Sequence, residues 1–161
     1  MLTARWSILL GALMLTTGVA LATPVSVLSM SDGTRELVER LDDGETLRFS
    51  YRQSIYDVLV FEEYERNGDR IELLRVRSSD VRSLEYLRWD GEIVQEDDGL
   101  WMQEAPAADV SELVIRIAPL GRQRFETARW TCDLLARFGE RVIRVKADRV
   151  PLALALLRQV R

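Results

Sequence analysis

The chain has 161 residues, is 47% hydrophobic and carries a formal net charge of −4, with no histidine and a single cysteine. That length and apolar content suit one domain with a packed core and exclude global disorder. The acidic balance argues against a nucleic-acid partner, which needs a basic footprint. Without histidine there is no Ser-His-Asp or Cys-His catalysis, and with Cys132 alone there is no zinc site and no intramolecular disulfide.

Met1 to Arg5 gives a short positive start, Trp6 to Val19 is apolar or small, and Ala20-Leu21-Ala22 precedes Thr23-Pro24. This is the pattern of a secretory signal peptide over residues 1–22, cut after Ala22. Residues 23–161 then form a single β-rich domain in the periplasm. No cysteine stands directly after the cut, which excludes a lipoprotein. The alternative is an uncleaved segment anchoring the chain to the inner membrane, the one route to membrane contact. The apolar run is short against the ~20 residues that span a bilayer.

Val25 to Met30 alternates in the strand period, and Ser31-Asp32-Gly33 is a turn signal. Thr34 to Leu41 reads as a second strand, or as a short helix. Asp42 to Glu45 is an acidic turn that reads as a hairpin corner and lacks the spacing of a calcium loop. Leu47, Phe49 and Tyr51 share one strand face, opposite Thr46, Arg48 and Ser50. Val58 to Phe61 is continuously apolar, as in a strand covered on both faces. Asn67-Gly68 marks a hairpin, with Ile71 to Ser78 as the returning strand.

Leu84 to Trp89 is a further strand candidate, closed by Asp90-Gly91. Glu96-Asp97-Asp98 reads as a solvated loop, and Ala105 to Ala108 as a linker. Leu113, Ile115 and Ile117 alternate along a strand ended by Pro119, and Arg122 to Glu126 is a short one. Trp130, Leu134 and Phe138 lie four apart, as on a helix face, with Thr127 and Gly139 as caps. Cys132 reads as a small residue of that core, with a reactive thiol or an intermolecular bridge as the alternative. Arg141 to Ala147 is the last strand, and the tail from Pro151 reads as helix or closing strand. Short strands punctuated by Gly, Pro and Asp predict an all-β fold. It is a mainly antiparallel β-sandwich or open barrel of about 7–9 strands, with one or two short helices near the C-terminus.

A catalytic reading is hard to build. Lys146, the only lysine, lies opposite Ile143 and Val145 and faces solvent. Glu62 and Glu63 are adjacent, so in a strand they point to opposite faces. The expectation is no enzyme, no cofactor and no metal. The polar corner Tyr51 to Asp57 joins two apolar strands and is the candidate contact site. Arg52 suits a bidentate carboxylate contact, and Tyr51, Gln53 and Ser54 supply neutral hydrogen bonds. In the structural alternative, Gln53 and Ser54 satisfy turn groups and Arg52 pairs with Glu62 or Glu63.

At this corner the chain resembles a family of small secreted bacterial proteins, the domain of unknown function numbered eighteen-fifty. Tyr51, Ser54 and Ile55 align with its Tyr-x-His-Ser-Val-like motif, and Val60 and Glu62 with its Pro-Val-x-Glu-like motif. Gln53 stands where the family has His, and Leu59 where it has Pro. The resemblance spans Val25 to about Pro151. It implies association with the membrane or solute-binding subunits of a tripartite ATP-independent periplasmic (TRAP) transporter, and it brings no activity. The expected role is a non-catalytic periplasmic accessory protein using Tyr51, Arg52, Gln53, Ser54 and Glu62 as its contact site. The alternatives are a stand-alone binding module or inhibitor, and a carboxylate-dependent hydrolase acting through Glu62 or Asp98.

Overall fold

In the computed structural model, which describes residues 21–107 and 109–159, two antiparallel sheets face each other across one main core. The strands are β1 (Pro24–Ser31), β2 (Glu36–Arg40), β3 (Thr46–Gln53), β4 (Val58–Asn67), β5 (Arg70–Ser78) and β6 (Ile93–Gln95). They continue with β7 (Trp101–Glu104), β8 (Asp109–Val110), β9 (Leu113–Arg116), β10 (Arg124–Glu126), β11 (Thr131–Asp133) and β12 (Val142–Pro151). Three short helices join them among the described residues: α1 (Val81–Glu85), α2 (Leu134–Phe138) and α3 (Leu152–Gln159).

The smaller sheet runs β2-β1-β12-β9, and the larger β11-β10-β3-β4-β5-β7-β6 with β8 also on β5. This is the expected all-β class, an open sandwich rather than a closed barrel. The strands beyond the expected number are mostly two or three residues long, such as β6, β8 and β11, too short to carry a legible alternation.

Alternation puts Leu28 and Met30 of β1, Leu47 and Phe49 of β3, Phe125 of β10 and Ile143, Val145 and Ala147 of β12 into the main core. Cys132 is buried there too, and burial pushes its thiol up to about 11, so it behaves as a small apolar residue. The β4–β5 hairpin turns at Gly68, whose φ of 66° occupies the first of two loop positions between Asn67 and Arg70.

Arg66, near the end of β4, locks the two sheets together. Its side chain is fully buried and donates to the carbonyls of Val27, Leu41 and Asp148 in the smaller-sheet layer, at 2.9–3.0 Å, and to Gly68 at 2.8 Å. Asp43 pairs with the same guanidinium at 3.0 Å. The acidic corner after β2 is therefore held by arginines, because Arg129 also contacts Asp42 and Glu45. It carries the chain from one sheet to the other instead of making a hairpin.

Three local expectations are corrected. Leu84 to Trp89 is not a strand. Asp80 caps α1 by accepting from the Arg82 N–H at 3.0 Å, and Leu84 is buried over a second small cluster with Val60 and Val76. The Trp130 stripe is only partly helical: residues 131–133 pair with β10, and α2 starts at Leu134 with Asp133 as its cap. Thr127 instead accepts from the Arg129 and Trp130 amides in a turn. Val58 to Phe61 is not covered on both faces, since Leu59 is 46% exposed. The tail is the helix α3, which buries Ala155 against Val27, Val38 and Val150. The signal-peptide reading falls almost wholly on residues 1–20, outside the described residues.

Candidate functional site

β3 and β4 pair so that Phe49 opposes Glu62, Leu47 opposes Tyr64 and Tyr51 opposes Val60. Opposed residues share a face, so a glutamate and two tyrosines sit on the same inward face as core leucine and phenylalanine. Beside them runs β9, the last strand of the smaller sheet. Phe49, Tyr51, Glu62 and Tyr64 line one side of a cleft of about 320 Å³, and Leu113 to Arg116 with Gln123 line the rest.

Glu62 is the polar centre of this cleft. The Tyr64 hydroxyl donates to its carboxylate at 2.5 Å, and the Tyr51 hydroxyl is hydrogen-bonded to it as well. Among the described residues no basic side chain pairs with it. Burial pushes the carboxyl above its ordinary value, and the two tyrosine hydrogen bonds act against that push. The tyrosines respond in kind. Burial first, and then the neighbouring carboxylate, raise both hydroxyls, which keeps them protonated donors across ordinary pH. The cleft thus offers a carboxylate with vacant acceptor positions, framed by aromatic rings. Phe49 stacks obliquely on Tyr51 with centroids 5.4 Å apart.

Glu63, the neighbour, points the other way and meets a different fate. It is almost fully buried on the outer face between Arg75 at 2.6 Å and Arg48 and Arg77, both at 3.4 Å. Burial pushes its carboxyl up, but the three guanidiniums outweigh that and hold it below its ordinary value. Arg77 extends the network to Glu96 and Asp98, each at 2.5 Å. The acidic run is the solvated loop expected, with Asp97 and Asp98 exposed, and Arg77 ties it to the sheet. Its Asp98 pairs with Arg77 in this outer-face network and is not part of the cleft that Glu62 lines.

Of the candidate contact residues, the fold brings Tyr51 and Glu62 together. It leaves Arg52, Gln53 and Ser54 outside the cleft lining. Arg52 makes a two-pronged contact with Asp57 across the β3–β4 turn, not with Glu62 or Glu63. Asp57 there adopts a left-handed φ of 58°. Gln53 is half-buried with its Oε1 unpartnered, and Ser54 is exposed. Tyr64 was missed, although the spacing Glu62-x-Tyr64 places both on one strand face. The β9 wall had no local signal, because it arrives from about 50 residues downstream. Comparisons with protein-family models, curated proteins and solved structures returned no match.

Proposed function

We propose that the protein is a non-catalytic accessory module of the periplasm that works by binding, and that its site is the Tyr51–Glu62–Tyr64 cleft. One observation carries this reading. A carboxylate is half-buried at the edge of the core, bonded to tyrosine hydroxyls and, among the described residues, to no cation, with an open cleft in front of it. A charge drawn partly out of water without a cationic partner is costly unless something compensates it. A ligand bearing an amine, guanidinium or hydroxyl would compensate it here. The reading without catalysis is supported by the lining, which brings Glu62 no second carboxylate for acid–base work.

A photocrosslinking residue placed at Val114, on the cleft wall, tests the reading in the native host. A matching label at Leu157, exposed on α3, serves as the control. Adducts specific to position 114 are expected. If they contain a TRAP transporter subunit, the accessory role stands as the resemblance implies. If they contain another secreted partner, the stand-alone module replaces it. Equal labelling at both positions, or none at position 114, would refute the cleft as the site.

A further inference from the structure

The cleft wall is a strand with one side of its backbone only partly used. In an antiparallel ladder a residue directs both its N–H and C=O to the same neighbour, and the next residue directs them away. The Ile117 N–H donates to the Arg141 carbonyl at 2.7 Å, and β9 continues in that register with Ile115 opposite Ile143 and Leu113 opposite Val145. So Leu113, Ile115 and Ile117 serve β12, while Val114, Arg116 and Ala118 present their backbone groups to the far side.

On that far side a side chain already imitates a strand. The Gln123 amide accepts from the Ala118 N–H at 2.9 Å and donates to the Arg116 carbonyl at 2.8 Å. No strand among the described residues pairs with this edge. What remains open is the N–H of Arg116 and both groups of Val114. Val114 is itself 60% exposed, and Arg116 has no carboxylate partner among the described residues.

We infer that β9 is a strand-addition site for an extended peptide segment of a partner protein, with a lysine or arginine side chain entering the cleft to meet Glu62. The inference rests on the cleft being the binding site. Side chains of an added strand alternate. Those opposite Leu113 and Ile115 would face inward, toward Glu62 and Phe49. Those opposite Val114 and Arg116 would face outward. Charge complementarity selects the occupant: a cation inward for the unpaired carboxylate, and an acidic residue outward for the unpaired Arg116. The chain's net charge of −4 favours a basic segment in the same sense.

The test is an amide NMR titration of the purified protein with the end-blocked peptide TVTKEVT, whose lysine is an inward position. The Val114 and Arg116 amides should shift and become protected from exchange. Methylating the peptide nitrogens at outward positions should weaken binding about tenfold, as should Glu62→Gln in the protein. Replacing the peptide lysine by norleucine should remove the sensitivity to Glu62→Gln. Binding indifferent to N-methylation, or to Glu62→Gln, overturns the inference. So does concentration-dependent protection of Val114 in protein alone, which would make a second copy the occupant. If the peptide fails but n-butylammonium binds through Glu62, strand addition is overturned and the cleft reading survives. If neither binds, both fall.

Discussion

Glu62 and Arg66 lie four residues apart on one face of β4, and burial treats them oppositely. Arg66 is satisfied by backbone carbonyls of the smaller-sheet layer and the β4–β5 turn and by Asp43, whereas Glu62 has, among the described residues, only tyrosine hydroxyls. Substituting Arg66→Met would leave several buried carbonyls unpaired, so we expect a loss of roughly 3 kcal/mol in urea unfolding. A loss below about 1 kcal/mol, the range of an ordinary surface change, would show that Arg66 is not the clamp between the sheets. For Glu62 the sign of the pH effect follows from its raised carboxyl. Its stabilising contribution is fully present below the ordinary value of about 4.5 and is lost as pH rises through the higher folded value. The difference in unfolding free energy between wild type and Glu62→Gln should therefore move against wild type as pH climbs from 4.5 toward neutrality. Carboxylates held low elsewhere, such as Asp32 and Asp57, are common to both proteins and cancel. A difference that is flat with pH would contradict the raised carboxyl.

At the scale of elements, β9 depends on a residue that no strand pattern would single out. Gly121 sits in a 3-10 turn, and a Cβ there would come within 2.9 Å of Gln123 Oε1. The side chain that covers the edge of β9 is therefore admitted by a glycine. Gly121→Ala should displace the Gln123 amide, and the Ala118 amide should exchange faster with solvent. An unchanged exchange rate would mean that Gln123 tolerates the methyl group and that the edge is covered in another way. Short elements were also where the sequence was least legible. The helix α1 has one turn, and its signal is the cap Asp80 rather than any apolar period. The residues from Leu84 to Trp89 alternate well enough to read as a strand. Residues 131–133 extend the sheet through pairing with β10, a contact that local propensity does not encode.

At the scale of the molecule, the long strands and the hairpin at Gly68 were readable because half-buried strands alternate and turns need special residues. The site was readable only in part. Tyr51 and Glu62 meet because β3 and β4 are neighbours in sequence as well as in space. The rest of the cleft is assembled from β9 and Gln123, which reach it through the packing of one sheet on the other. Arg52, Gln53 and Ser54 looked like a site because they are polar residues between apolar strands. The turn geometry uses Arg52 for Asp57 and leaves the corner outside the cleft lining. The two faces of the larger sheet divide the charges accordingly: the outer face gathers Glu63, Arg75, Arg77, Glu96 and Asp98 into a self-paired network, and the inner face holds Glu62, which has no cationic partner among the described residues.

That unpaired carboxylate is the central claim, and carbon-detected NMR titration of the Glu62 carboxyl tests it most directly. In the free protein it should titrate above about 4.5, and addition of n-butylammonium or the lysine peptide should pull it down by supplying the missing cation. Titration at or below that value, unmoved by either probe, would contradict the account.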